Sequence, residues 1–137
     1  MTDKLRAVLD GASRGNPGHA AIGIVFYDTN KHLVKKVHRY LGECTNNVAE
    51  YSALIACLEE AIVLGAKEIL IQSDSELMVK QFNGKYRIKN PNLRTLCAEA
   101  HDIIQRKDLK IFVVQVPRSQ TKEADRLANF ALDMQGF

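Results

Sequence analysis

Four acidic residues of this 137-residue chain, Asp10, Glu50, Asp74 and Asp125, have types and positions that could do chemistry together. Asp10 closes the apolar run Leu5 to Leu9 and opens the stretch Asp10-Gly-Ala-Ser-Arg-Gly-Asn-Pro-Gly18. A carboxylate at the end of a strand, beside a glycine-rich loop built for close approach, is where open α/β sheets place their sites. Asp74 repeats the pattern after Ile69-Leu70-Ile71, inside Ser73-Asp74-Ser75. Glu50 falls on an apolar helical stripe with Ala49, Ala53, Leu54 and Cys57, and a carboxylate there is costly unless paired or bound to a cation. Asp125 lies in the first turn of the last helix. A local role is open to each of the four: a turn for Asp10, a solvated frayed first turn for Glu50, a helix cap for Asp74, the helix dipole for Asp125. Brought to one point, the four could not all stay ionised without a counter-charge. A hard divalent cation supplies one. Mg²⁺ or Mn²⁺ suits an all-oxygen set better than Zn²⁺, since no His or Cys is placed to join it.

The elements that must position them follow from periodicity. Leu5–Leu9, Ala20–Tyr27 and Leu33–Leu41 read as strands, the last with edge-type charges Lys35, Lys36 and Arg39. Thr45 caps a helix that runs to Leu64 and is apolar nearly all round, so it is expected to be buried on more than one side. Lys67–Gln72 reads as a buried parallel strand, and Ser75 caps the helix after it. Asn90 and Pro91 open a third helix. Lys110–Val116, apolar on both faces, is predicted to be a buried fifth strand before the final helix. The order is β-β-β-α-β-α-α-β-α. An antiparallel meander leading into right-handed crossovers gives an α/β fold, a mixed five-stranded sheet with helices on both faces. The first and fourth strands then pair in parallel, and Asp10 and Asp74 end neighbouring strands.

Composition narrows the class. Residues 1–137 read as a single domain, 46% hydrophobic and 26% charged, with a net charge of +3 that permits a polyanionic partner without demanding one. Cys44, Cys57 and Cys97 lack metal spacing and read as reduced thiols. No signal peptide or membrane-spanning run is read, so a cytoplasmic location away from membranes is expected.

Four motifs, Asp10 to Gly18, Thr45-Asn-Asn-Val-Ala-Glu50-Tyr-Ser-Ala-Leu54, Ser73-Asp74-Ser75 and Ala124-Asp125-Arg-Leu-Ala-Asn129, together resemble type 1 ribonuclease H over the whole chain. The resemblance implies a ribonuclease H-like fold and an endonuclease that cuts the RNA strand of RNA–DNA hybrids, leaving 5′-phosphate and 3′-hydroxyl ends. It implies Asp10, Glu50, Asp74 and Asp125 as catalytic ligands of two Mg²⁺ ions in the substrate complex, with Mn²⁺ as a substitute. It also implies Asn16, Asn46 and Asn47 in the minor groove of the hybrid, and Thr45 and Asn90 on a phosphate of the DNA strand. For the asparagines, turn and cap chemistry explains the local conformation equally well. A monomer without an obligate protein partner is expected.

Two departures stand out. Many relatives carry a histidine in the loop before the last aspartate; here that loop is Arg118-Ser119-Gln120-Thr121. Arg118 is a candidate auxiliary group, although a guanidinium is a poor proton carrier. The expectation is retained activity with a slower or more metal-dependent step. The long basic protrusion of some relatives is also missing, leaving Lys85, Arg87 and Lys89, which read as a solvated connector. Rival readings are a phosphate-loop ATPase or sugar kinase of related fold, an inactive nucleic-acid binding module, and a DNA nuclease or integrase.

Overall fold

The computed structural model describes residues 3–137. Its strands are β1 (Lys4–Gly15), β2 (Gly18–Tyr27), β3 (Leu33–Cys44), β4 (Glu68–Ser73) and β5 (Lys110–Gln115). Its helices are α1 (Asn46–Val63), α2 (Glu76–Phe82), α3 (Pro91–Arg106) and α4 (Lys122–Met134), with a 3₁₀ turn at Arg118–Gln120. The strand order is β3-β2-β1-β4-β5, antiparallel within the meander and parallel across β1, β4 and β5. The predicted element order and mixed sheet are those observed.

Strand alternation assigns the two faces. Ile22, Ile24 and Phe26 join Leu5, Ala7 and Leu9 in one cluster with Tyr51, Leu54 and Leu58 of α1. Ala21 turns the other way, onto Ala128, Ala131 and Leu132 of α4. α1 is buried on several sides, as its near-uniform apolarity requires: Tyr51, Ala53, Leu54, Ile55 and Leu58 are all in the core.

Two expectations are corrected. The first strand does not end at Asp10. It continues to Gly15, because its antiparallel pairing with β2 runs unbroken from Arg6↔Tyr27 to Gly15↔Gly18. What ends near Asp10 is the parallel partner: β1–β4 pairing stops at Val8↔Gln72. Asp10 therefore stands beside a notch in the sheet, not at a strand terminus. The fifth strand is also less buried than expected, with Val113 in the core but Phe112 46% and Val114 38% exposed. β5 is an edge strand, and α4 packs on β1, β2 and β3.

Candidate active site

The notch lets side chains from both faces of the sheet meet. Asp10, Glu50 and Asp74 each bring one carboxylate oxygen to within 4.8 Å of the others. They line a cavity of about 630 Å³ with Asn46, Asn47 and Asp125.

Two glycines control the approach. The Gly11 N–H donates to Glu50 Oε1. A Cβ on Gly11 would lie 2.8 Å from both Glu50 Oε1 and the Ala49 carbonyl carbon, so only glycine lets α1 come this close. On the other face Gly23 pairs with Asp10 across β1 and β2. A Cβ there would lie 2.0 Å from the Ala124 carbonyl oxygen, so Gly23 admits the first turn of α4 and with it Asp125.

Asp74 is not the cap of α2. Ser75 takes that role, accepting from the Met78 N–H at 3.2 Å. Asp74 Oδ2 instead accepts from Thr121 Oγ1 at 3.1 Å and from Arg118 Nε at 3.4 Å. Asp125 lies in the same cavity but outside the tight group of three. It is exposed, and its Oδ1 accepts from Asn129 Nδ2 at 3.2 Å.

Electrostatics follow burial. Asp10 and Glu50 are 4% and 7% exposed. Burial, then the charges of Glu50 and Asp74, push the Asp10 carboxyl far above the ordinary carboxylate range. Burial raises Glu50 as well, and the Gly11 N–H opposes part of that rise. A divalent cation would relieve the same repulsion. The donors are all oxygen, and among the described residues lining the cavity none is His or Cys, so the set fits Mg²⁺ or Mn²⁺.

The polar residues divide along the start of α1. Asn46 and Asn47 line the carboxylate cavity. Thr45 lines a second cavity of about 510 Å³ with Pro17, Val48, Asn92 and Leu96. The Asn16 side chain accepts from the Asn46 N–H at 3.1 Å and so docks the β1–β2 hairpin onto α1. Asn90 caps α3, accepting from the Asn92 N–H at 2.8 Å. Thr45 caps α1 through the Val48 N–H at 3.2 Å. Sequence reasoning missed Thr121 and Asn129. Asn129 was recoverable, since it sits one helical turn after Asp125. Thr121 reads in sequence only as a polar loop residue.

Residues 8–131 match the family model described as reverse transcriptase-like. The crystal structure of RNase H1 from the halophilic archaeon Halobacterium salinarum is similar at a TM-score of 0.91 and 41% identity, covering 95% of this chain and 98% of that one. The chain belongs to the type 1 ribonuclease H family.

Two further ribonuclease H structures are similar over nearly the whole chain. The N-terminal RNase H domain of Rv2228c from Mycobacterium tuberculosis, solved as a fusion with maltose binding protein, has a TM-score of 0.89 at 39% identity, covering 97% of this chain and 96% of that one. LC11-RNase H1 in complex with RNA/DNA hybrid has a TM-score of 0.93 at 37% identity, covering 97% and 99%. The chain spans 34% of the length of the whole bifunctional protein Rv2228c. It spans 65% of the Halobacterium Ribonuclease HI, with 41% identity over 130 residues. Two of the four histidines stack on aromatic rings. His19 stacks on Phe137 at 3.5 Å between ring centroids, and His101 on Phe82 at 4.2 Å. Among the described residues no helix is long and apolar enough to cross a membrane.

Proposed function

We propose that this chain is an endonuclease that hydrolyses the RNA strand of RNA–DNA hybrids and leaves 5′-phosphate and 3′-hydroxyl ends. The observation that carries the proposal is the convergence of Asp10, Glu50 and Asp74 within 4.8 Å, in a cavity that Asn46 and Asn47 also line. Asp10 and Asp74 would be the principal ligands of two ions, and Glu50 and Asp125 would complete the two positions. Bound there, Mg²⁺, or Mn²⁺ in its place, supplies an activated water and a counter-charge for the leaving 3′ oxygen.

The chain's own residues do the positioning. Asn46 and Asn47 present amides that both donate and accept, which suits 2′-hydroxyls and base edges in a minor groove. Asn16 holds that groove-reading end of α1 against the hairpin. Thr45 and Asn90 serve the DNA strand, Thr45 from the adjoining cavity and Asn90 from the start of α3. Sugars and groove shape carry little base information, so sequence preference is weak. Arg118, 89% exposed beside Asp74, contacts substrate phosphate. Arg118→Ala lowers turnover or shifts the ion requirement, and a variant equal to wild type in both would remove Arg118 from the site. The chain acts as a single domain, as a monomer in the cytoplasm.

The test compares three substrates in Mg²⁺: an end-labelled RNA–DNA hybrid, the matching DNA duplex and single-stranded RNA. Cutting confined to the RNA strand of the hybrid, with 5′-phosphate ends, is expected. Equal cutting of the DNA duplex would point instead to a DNA nuclease of the same fold. ATP turnover without nucleic acid would point to the kinase-like alternative.

A further inference from the structure

Thr121 is 1% exposed and stands immediately before α4. A threonine at that position ordinarily turns its hydroxyl onto a backbone N–H of the first helical turn. Here the side chain makes no capping bond. Its Oγ1 lies 3.1 Å from Asp74 Oδ2 and 3.1 Å from the Arg118 carbonyl oxygen. A hydroxyl has one proton to donate, and a carboxylate accepts more strongly than a neutral carbonyl, so the bond goes to Asp74. The other side-chain partner of Asp74, Arg118, is longer at 3.4 Å and 89% exposed. Thr121 is thus the buried, fixed partner. Its carbonyl oxygen also accepts from the Asp125 N–H at 2.9 Å. One residue touches Asp74 through its side chain and Asp125 through its backbone.

We infer that Thr121 is a positioning residue for ion binding: its hydroxyl fixes the Asp74 carboxylate plane and locks the start of α4 to the end of β4. The inference rests on the reading of the carboxylate group as an ion site. Partners of ligand carboxylates orient them, and their loss typically weakens ion binding or activity about 10–100-fold.

The test uses Thr121→Val, which keeps the shape and removes the hydroxyl, Thr121→Ala, which removes it without filling space, and Thr121→Ser, which retains it. Mn²⁺ binding is measured by calorimetry without nucleic acid, folding by thermal melting, and hybrid cleavage against Mg²⁺ concentration. Either hydroxyl-free variant that folds should bind Mn²⁺ at least about tenfold more weakly than wild type. It should need more Mg²⁺ for half-maximal cutting, with an unchanged KM for hybrid. Thr121→Ser should recover most of both losses, which a purely structural role would not require. Wild-type Mn²⁺ affinity in a folded hydroxyl-free variant, or no recovery with serine, would overturn the inference while leaving the proposed function standing. Failure of the wild-type protein both to bind Mn²⁺ and to cut the hybrid in Mg²⁺ would overturn the inference and the proposed function together.

Discussion

Glu50 and Asp125 reach the same cavity from near the starts of two helices, and they are held in opposite ways. Glu50 comes from α1, is buried, and is gripped by the Gly11 N–H where β4 has stopped running beside β1. Asp125 comes from α4 over Gly23, is exposed, and is steadied by Asn129. Arg14 in turn ties Asn129 and Asp133 to β1, with Nη2 3.3 Å from Asn129 Oδ1 and 2.7 Å from Asp133 Oδ1. Burial makes the first carboxylate rigid and hard to ionise alone. Exposure leaves the second adjustable. A site that grips ions and follows a changing phosphate, as proposed, would gain from one of each.

The comparison breaks first on charge removal. Glu50→Gln removes a buried charge proposed to hold an ion, and should lower kcat by about 10²–10³-fold, the scale of losing one preorganised electrostatic contribution. Asp125→Asn should cost about tenfold, the lower end for an adjustable ligand. Equal losses in steady-state cleavage would erase the distinction.

The glycines sharpen it next. Gly11→Ala and Gly23→Ala each force overpacking, worth about 1–3 kcal/mol of stability by denaturant unfolding. Gly23→Ala meets backbone at 2.0 Å and should be the more destabilising. Gly11→Ala meets Glu50 itself, so it should also weaken Mn²⁺ binding, whereas Gly23→Ala should leave the three-carboxylate group able to bind.

A smaller effect concerns pH. The folded-state pKa values of Asp10 and Glu50 are raised above ordinary values of 3.8 and 4.5. Above those values the unfolded chain has released protons that the ion-free native state still holds. Stability of the ion-free protein therefore falls as pH rises from about 4 toward 8. Glu50→Gln should raise the ion-free Tm at pH 8 by about 3–5 °C, the shift expected of about 1 kcal/mol in a chain this size. It should give no gain near pH 3.5. Mg²⁺ should stabilise wild type more at pH 8 than at pH 5. The smallest expected change is Asn129→Ala. It removes the exposed bonds from Asn129 Nδ2 to the Asp125 carbonyl and Oδ1, together with the bond from Arg14 to Asn129 Oδ1, and should slow cleavage about two- to fivefold, within the usual worth of such bonds at an exposed site.

Much of this was legible in the sequence, for definable reasons. Apolar runs and caps encode element order, and parallel pairing of the first and fourth strands sets Asp10 and Asp74 side by side, so the meeting of Asp10, Glu50 and Asp74 follows from topology, whereas the place of Asp125 outside that tight group does not. The extension of β1 to Gly15 did not, because glycine-rich sequence reads as loop while its ladder with β2 is a tertiary fact. Exposure of Phe112 and Val114 was hidden because a strand apolar on both faces looks the same at an edge as at the centre. Thr121 was invisible because a cap residue and a carboxylate partner share one local signature. Which role it takes depends on Asp74, 47 positions away.

The most direct measurement is hybrid binding and RNA-strand cleavage by Asp10→Asn beside wild type, in Mg²⁺ and in chelator. The account predicts that wild type cuts only with Mg²⁺, and that the variant binds the hybrid with near-normal affinity and does not cut. Cutting by wild type in chelator, or undiminished cutting by Asp10→Asn, would contradict it.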